Sequence, residues 1–447
     1  FSNNNITITA YDLTTFVPVG RITLPFVGIP TRLVRWGVNG LAVRARTSAV
    51  SGFDSSLYII QSALVSNAAP IPTGISLSTS SVNVAESISS AVLTVIRSGD
   101  LSVASTIDYA TADGTASERS DYTTALGTLR FAPGESSKTV TVFLTNDLFQ
   151  ESNETFSLNL SGPTSAVATF PDTTTVTILD NDPSPPPGNP IDDTTFFVRQ
   201  HYKDFLNRLP DQQGFLFWFT EIEQCGADAQ CREVKRINVS AAFFLSIEFQ
   251  NTGYLVYRLH QTSFGTGETL GMNSFLKDTQ EIGQGVVVNA IGWEQQLENN
   301  KRDFVNRFVT RQAFVDAFPL TMTPAQYVDA LNANTKDPEQ PGSSGALTTV
   351  ERDQLVAELT IGSKTRAEVL RAIAENALFT QQHQNRAFVY MQYVGYLRRN
   401  ANATPDSDFT GYNFWLQKLK DFNGNFVDAE MVKAFLNSSE YRQRFAP

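Results

Sequence analysis

The chain has 447 residues, with 45 Asp and Glu against 34 Lys and Arg, and its formal net charge is −11. This length predicts several domains that can each bury a core, and 41% hydrophobic with 18% charged residues is typical of a globular protein. Two cysteines and three histidines exclude the usual four-ligand thiolate zinc site, and the acidic excess argues against nucleic acid as a partner. The sequence contains no run of about 20 apolar residues that could span a membrane.

Residues 1–66 show a strand pattern and end at a proline-rich joint, NAAPIP. Four runs, ITITAYDL, VGRITLP, LVRWGVNGLAVRA and SSLYIIQSALV, predict one antiparallel sheet. Their pattern resembles a blade of a bacterial β-propeller. One blade cannot close a ring, so the resemblance implies that other blades precede it or that the sheet docks on another surface. The alternative is an unrelated four-stranded sheet packed on its neighbour.

Residues 73–183 contain seven further runs with a period of two, which predict an antiparallel β-sandwich. Thirteen acids and four bases give this quarter of the chain a net charge of −9. Several acids fall in loops that an antiparallel sandwich gathers at one end, and carboxylates held close together favour a cation. Oxygen ligands without His or Cys indicate calcium. The alternative is a solvated acidic rim that holds no ion.

The motifs VNVAES, YATADGTASERSDYT, GTLRFAPGESSKTVTV, NDLFQESNETFSLNLS and TVTILDND resemble the Calx-β domain of sodium–calcium exchangers and bacterial surface proteins. The resemblance implies a seven-stranded immunoglobulin-like sandwich that binds Ca²⁺ in loops at one end. The ligands that it implies are Glu86, Asp113, Asp121, Asp147, Glu151, Glu154, Asp180 and Asp182. Asn146, Gln150 and Asn181 replace further acids of the exchanger pattern, which implies weaker binding or fewer ions, suited to millimolar extracellular calcium.

A stiff proline-rich linker, 184–193, leads to an all-α domain over 194–447 that holds 23 of the 32 Phe residues. A segment that begins at Phe197 aligns with a second segment that begins at Phe388, which indicates an internal repeat. The matched pairs include Tyr202 with Tyr393, Arg208 with Arg399, Gly214 with Gly411, Phe217-Trp218 with Phe414-Trp415, Ser246 with Ser438, and Glu248 with Glu440. We interpret the region between them as degenerate units of the same kind. The alternative is that the repeat simply builds a bundle.

The repeat pattern, FV…Y…fL.R.PD…G..FW, resembles a bacterial helical domain of unknown function and is loosely similar to the phycobilisome linker domains. This resemblance implies assembly or attachment and brings no catalytic residues. Cys225 and Cys231 lie in a glycine-containing turn, EQCGADAQCRE, where five intervening residues allow a disulfide. A redox pair is the alternative, although the C-x-x-C spacing is absent.

Three observations argue against an enzyme. His201 and His260 lie on predicted aromatic helices and His383 lies in a polar run, which predicts core or surface roles for the first two and a solvent-facing side chain for the third. No common nucleophile, zinc, P-loop or dinucleotide motif occurs in its required context. Carboxylate pairs as in glycosidases could lie among the acids, but the calcium motifs already use the best pairs.

The sequence therefore predicts a multidomain β-plus-α protein, bacterial and non-catalytic, at the cell surface or outside the cell. Its expected function is adhesion or assembly in a surface layer, filament or matrix. Expected partners are other protein chains, including copies of itself as a homopolymer, and cell-surface polymers. The alternative is a ligand- or carbohydrate-binding module of a larger secreted propeller protein.

Overall fold

A computed structural model of the chain describes residues 6–11, 17–24, 29–36, 40–46, 55–61, 73–147, 149–182, 188–265, 270–337, 340 and 342–445. Within these residues the strands come first and the helices follow, as the sequence predicts. The described residues form three regions, which are the N-terminal strands, a β-sandwich and a helical domain.

The N-terminal strands form two small antiparallel sheets. One joins β1 (Ile6–Tyr11) to β2 (Pro18–Leu24), and the other has β4 (Gly40–Arg46) between β3 (Ile29–Trp36) and β5 (Ser55–Gln61). The prediction of one four-stranded sheet is therefore wrong for the described residues. Trp36 lies opposite Gly40, so the third predicted run is two strands of a hairpin. The propeller blade stays a prediction.

The β-sandwich has nine described strands in two sheets, ordered β10-β9-β12-β14-β7 and β11-β8-β6-β13. Its strands are β6 (Gly74–Leu77), β7 (Ser81–Ala85), β8 (Ser90–Ser98), β9 (Ser105–Asp113), β10 (Leu126–Phe131), β11 (Ser137–Phe143), β12 (Glu154–Thr164), β13 (Val167–Ala168) and β14 (Thr173–Leu179). Alternation decides which side chains enter the core: β8 buries Ala91, Leu93 and Val95 and turns the residues between them outward.

Two features differ from the predicted seven antiparallel strands. The first predicted run divides, because the Thr79 hydroxyl accepts a hydrogen bond from Ser81 N at 3.3 Å and interrupts the strand. As a result β6 joins one sheet, and β7 joins the other, where it pairs parallel with β14. The short β13 is an additional strand and pairs parallel with β6.

Fifteen α-helices lie in the described part of the helical domain. They are α1 (Thr194–Leu206), α2 (Gln212–Glu223), α3 (Ala229–Leu245), α4 (Ile247–Asn251), α5 (Gly253–Phe264), α6 (Met272–Gly283), α7 (Trp293–Phe308), α8 (Gln312–Ala317), α9 (Pro324–Ala333), α10 (Thr349–Thr360), α11 (Arg366–Ala374), α12 (Ala377–Met391), α13 (Thr410–Asp421), α14 (Met431–Leu436) and α15 (Ser439–Arg442). A π-helical segment, Gln392–Leu397, continues α12. No helix in the described ranges has the length and hydropathy of a membrane span.

The matched residues of the two repeat segments make equivalent contacts. Arg208 donates two hydrogen bonds to Glu248, each at 2.8 Å, and Arg399 donates two to Glu440, at 2.7 and 3.0 Å. Each guanidinium also lies over the matched tyrosine ring, at 4.9 Å from the Tyr202 centroid and 5.3 Å from that of Tyr393. The two segments thus share one local arrangement, while the degenerate units between them stay a prediction.

A close approach explains the glycine that each segment carries. A Cβ on Gly214 would lie 2.2 Å from the Tyr202 hydroxyl, and one on Gly411 would lie 2.8 Å from the Tyr393 hydroxyl. Both positions therefore exclude any larger residue without movement of the tyrosine.

Polar side chains inside the helical domain are structural. His201 is buried between the Phe197 carbonyl, at 2.8 Å, and the Ser240 hydroxyl, at 2.7 Å, and burial lowers its pKa to about 4. The prediction of a solvent-facing His383 is wrong: α12 turns this side chain into the core, 4.3 Å from the Phe379 ring. The two cysteines form a disulfide with a Cα–Cα distance of 5.6 Å.

Candidate metal centre

The acids of the sandwich converge on one end because their loops follow or precede neighbouring strands. Glu86 follows β7, Asp121 lies between β9 and β10, and Asp147 follows β11. Glu154 begins β12, with Glu151 just before it, and Asp180 and Asp182 follow β14. Strands that lie far apart in sequence thus deliver carboxylates to the same place.

Two groups of three carboxylates result. Glu86, Asp147 and Asp182 form the first group, and Asp121, Glu151 and Glu154 form the second. In each group the three residues offer oxygen atoms within 4.8 Å of one another. Ligand oxygens that lie about 2.4 Å from a common ion are at most about 4.8 Å apart, so each group has the spacing of a calcium site.

A small cavity connects the two groups. It is lined by five of their carboxylates and by Asp180, so this predicted ligand lies between the two sets. Thr145 and Ser152 add oxygen atoms to its wall, and no nitrogen or sulfur side chain lines it. Because hard cations prefer such oxygen donors, the residues present fit Ca²⁺.

Asp113 is the predicted ligand that belongs to neither group and does not line the cavity, whereas Asp180 lies in the cavity wall. Its Oδ1 accepts hydrogen bonds from Glu118 N, at 2.9 Å, and from the Tyr122 hydroxyl. The carboxylate therefore fastens the loop after β9 instead of facing the other acids. It supports Asp121 indirectly, because both residues bind the same loop.

Backbone groups fix three of the carboxylates. Asp147 N donates to Glu86 Oε1 at 2.8 Å, which joins the ends of two loops inside the first group. Ser117 N donates to Asp121 Oδ2 at 2.6 Å, and Phe149 N donates to Asp147 Oδ1 at 2.8 Å. These bonds occupy some lone pairs and leave carboxylate oxygens for a cation.

Crowding and burial raise the pKa of several of these acids. Burial, then repulsion from Asp147 and other acids, raises the pKa of Glu86 to about 7 and that of Glu151 to about 7. Burial together with a hydrogen bond to Asp121 raises the pKa of Glu154 to about 8. Near neutral pH the metal-free centre therefore holds protons that a bound cation would displace.

Calcium affinity is expected to increase, and protons to be released on binding, between about pH 6 and pH 8. The sign follows from the raised pKa of Glu86, Glu151 and Glu154. Protonation of these acids stabilises the metal-free fold fully below about pH 4.5, and this stabilisation is lost as the pH rises through about 7 to 8. Calorimetric titration in two buffers of different ionisation enthalpy counts the protons. Glu135→Gln, at an exposed acid paired with Lys138, is the control. A pH-independent affinity without proton release would contradict the assignment.

The loops that carry the acids also hold the helical domain. Arg398 donates to Glu118 Oε2, at 3.3 Å from Nε and 3.1 Å from Nη2, and Arg119 contacts Glu440 at 3.0 Å. Arg444 Nε donates to the Arg119 carbonyl at 2.6 Å. Glu118 and Arg119 precede Asp121 by only three and two residues, so the second group and the docked helices share one loop.

The first group is tied to the helical domain in a similar way. Lys203 Nζ on α1 donates to the Leu144 carbonyl at 2.6 Å, three residues before Asp147. Burial lowers the pKa of Lys203 to about 8. Because this ammonium is almost fully enclosed, its bond holds the loop after β11 against α1.

The sequence did not reveal these interdomain residues. Glu118 and Arg398 are 280 positions apart, and Arg119 and Arg444 are 325 positions apart. Nothing in the local pattern distinguishes them from other surface charges. The one available signal is the position of Glu118 and Arg119 inside a loop already singled out for its acids.

Residues 71–182 match the family model of the Calx-beta domain, which confirms the resemblance for this part of the chain. This quarter of the protein is thus a Calx-beta domain. The family model does not extend to the N-terminal strands or to the helical domain.

Curated relatives match about a fifth of the chain or less. Sodium/calcium exchanger 1 of Mus musculus is 34% identical over an alignment of 116 residues that covers 22% of this chain and 12% of the exchanger. The sodium/calcium exchanger Calx of Drosophila melanogaster is 36% identical over 89 residues, 20% of this chain and 9% of its own length. Extracellular matrix protein 3 of Lytechinus variegatus is 42% identical over 76 residues, and the alignment covers 16% of this chain and 2% of that protein. The chain spans only a small part of each relative.

Two similar solved structures also align with about a quarter of this chain. The apo-form Calx CBD1 domain is 29% identical, and the alignment covers 25% of this chain and 99% of that domain with a TM-score of 0.25. The calcium binding domain CBD12 of CALX1.1 is 30% identical, and the alignment covers 24% of this chain and 46% of that structure with a TM-score of 0.24.

Proposed function

We propose that this chain is a non-catalytic, calcium-binding structural protein that works outside the cell, at a surface or in a matrix. In this proposal Ca²⁺ at the two carboxylate groups holds the helical domain in a fixed orientation on the sandwich. The helical and β surfaces then contact other chains, including further copies of the same chain, or polymers of the cell surface.

One observation carries the proposal: the carboxylates and the interdomain contacts lie on the same two loops. Glu118 and Arg119 in one loop, and Leu144 in the other, bind the helical domain within three residues of a carboxylate that faces the cavity. Without a cation, the ionised carboxylates repel one another and spread these loops. With Ca²⁺ bound the repulsion is neutralised, so the loops keep the geometry that the helical domain needs.

The extracellular setting is supported by chemistry. The disulfide between Cys225 and Cys231 is stable in an oxidising compartment. Extracellular calcium is high enough to fill weak sites, and the replacement of further acids by Asn146, Gln150 and Asn181 fits sites of that strength. A small part of one matrix protein, Extracellular matrix protein 3, is among the similar sequences.

Calcium is expected to narrow the distribution of distances between the sandwich and the helical domain. Spin labels at Val92→Cys and Val350→Cys report that distance, because both side chains are exposed, one on each region. Double electron–electron resonance should give one narrow distance in calcium and a broad distribution in chelator. A pair within the helical domain, at Leu216 and Val350, is the control and should not change. Equal distributions in both conditions would contradict the proposed role of calcium.

Self-assembly is the second part of the test. Sedimentation and electron microscopy of the purified chain in calcium are expected to show polymers that grow with concentration and disappear in chelator. Chains that stay monomeric and bind glycans would instead support the alternative, a binding module of a larger secreted protein.

A further inference from the structure

A cleft of about 350 Å³ separates the calcium end of the sandwich from helix α1. The helical wall carries Arg199 and Lys203, one turn apart on the same face. The sandwich wall carries the side chains of Ser87, Ser89 and Asn146. This volume lies at the small end of the range for ligand sites, and it suits a molecule of one or two sugar rings.

The charge in this cleft favours an anion. Lys203 is only 7% exposed, and its described hydrogen bond goes to a carbonyl group. The carboxylate that acts on it, that of Asp204, is already bound by Arg444 through both oxygens, so Lys203 keeps charge to offer to an anion. Arg199 lies over the Phe215 ring at 5.6 Å and forms none of the ion pairs within the described residues. Of the two acids in the lining, Asp193 accepts a hydrogen bond from Phe196 N as the cap of α1.

The other acid, Asp147, connects the cleft to the metal centre. It lines the cleft and also belongs to the first carboxylate group. A calcium ion at that group neutralises the charge that Asp147 brings to the lining. The cleft is then positive on balance, although the whole chain carries a net charge of −11.

The remaining lining identifies the rest of the ligand. Hydroxyl and amide groups of Ser87, Ser89 and Asn146 can bond to ligand hydroxyls, and Phe196 and Pro210 offer apolar surface to the carbon face of a ring. Neutral polar groups next to two cations match a ring that carries several hydroxyls and one carboxylate. An acidic peptide side chain would use the cations and leave these polar groups without partners.

We propose that this cleft binds the carboxylate-bearing sugar ring of a uronic acid. Arg199 and Lys203 hold the carboxylate, and the sandwich wall holds the ring hydroxyls. The site rests on the proposed function only for its dependence on calcium. The ligand can be a free sugar or a unit of a polysaccharide chain, which share this chemistry.

Ligand-observed NMR with the full chain tests the site, using methyl glucuronide against methyl glucoside as the matched neutral sugar. Methyl glucuronide is expected to bind about tenfold more tightly or better in calcium, and to weaken severalfold in chelator. Arg199→Gln, at an exposed residue, should reduce binding about tenfold, and Lys203→Met should do the same. Arg302→Gln, at an exposed arginine of α7, is the matched control and should bind as the unmodified chain does.

A glucuronide-terminated oligosaccharide distinguishes the two sources. If it binds more tightly than the monosaccharide, a polysaccharide is the ligand, and equal binding indicates the free sugar. Equal binding of glucuronide and glucoside, no effect of Arg199→Gln, or tighter binding of an acidic dipeptide would overturn the proposal. Thermal melting in the same samples separates the two failures. If calcium raises the melting temperature but glucuronide does not bind, only the proposal for the cleft is wrong. If glucuronide binds through its charge but calcium does not raise the melting temperature, only the proposed calcium function is wrong.

Discussion

Replacing Arg444 by Met is expected to destabilise the helical domain by about 3–5 kcal/mol, the cost of leaving a buried charge without its partner. Arg444 donates to both oxygens of Asp204, each at 3.0 Å, and the two side chains are 3% and 2% exposed. It also donates to the carbonyls of Tyr396 and Arg119, at 2.8 and 2.6 Å. One guanidinium thus joins α1, the π-helical segment and the sandwich.

Arg442→Met is the matched control, two residues earlier. Arg442 binds both oxygens of Asp192, at 2.8 and 2.7 Å, so its geometry is equally good. Its side chain is 35% exposed and that of Asp192 is 57% exposed, so solvent screens the pair and its loss should cost at most about 1 kcal/mol. Urea unfolding followed by circular dichroism at a helical wavelength measures both. Equal effects of the two substitutions would show that burial of the Arg444 pair does not matter.

A double variant separates the buried charge from the lost contacts. Asp204→Leu combined with Arg444→Met removes both charges, and it should be more stable than Arg444→Met alone. The carbonyl contacts remain lost in both variants. A double variant no more stable than the single one would assign the cost to those carbonyls.

The parts of the fold that were predicted correctly depend on local periodicity. The period of two predicts strands such as β8, whose alternate residues enter the core, and the helical region predicted from residue 194 begins with α1. Seven of the eight predicted ligands belong to one of the two groups or line the cavity, because each loop position was fixed by its strand. Which acids share a group was not predictable, because that depends on how two sheets pack.

The predictions that were wrong concern features decided by distant contacts or short turns. His383 lies in a polar run, yet its side chain is in the core. Its position on the buried face of α12 decides this, and not the polarity of its sequence neighbours. The sequence between Trp36 and Gly40 contains Gly and Asn, which favour turns, and the third predicted run continued through it and so joined β3 to β4. The interdomain contacts could not be predicted from the sequence, because they join charged residues hundreds of positions apart that share no local pattern.

Saturating calcium is expected to raise the melting temperature of the sandwich by roughly 10 °C for each filled site, with chelator as the reference. A free concentration one hundred times the dissociation constant contributes about 2.7 kcal/mol per site, because the ion binds the folded centre and not the dispersed acids of the unfolded chain. Asp147→Asn should remove most of the contribution of the first group, and Asp121→Asn that of the second. Asp172→Asn, at an exposed acid outside the centre, is the control.

The sign of the substitution effect should reverse when calcium is removed. In chelator near pH 8, above the pKa of about 7 of Glu86, Asp147→Asn removes the repulsion that Asp147 exerts on this carboxylate and should stabilise the metal-free fold by about 1 kcal/mol. The new amide oxygen can still accept the hydrogen bond from Phe149 N, so the loop keeps its anchor. In calcium the same substitution should destabilise the protein, because a ligand is lost.

This reversal distinguishes a metal centre from a solvated acidic rim. A rim without an ion predicts that Asp147→Asn stabilises the protein, or leaves it unchanged, to the same extent in calcium and in chelator. Differential scanning calorimetry of the wild-type chain and the Asp147, Asp121 and Asp172 variants in both conditions separates the two cases. Magnesium in place of calcium adds a further comparison, since its smaller octahedral shell fits two crowded carboxylate groups less well and should give a smaller shift.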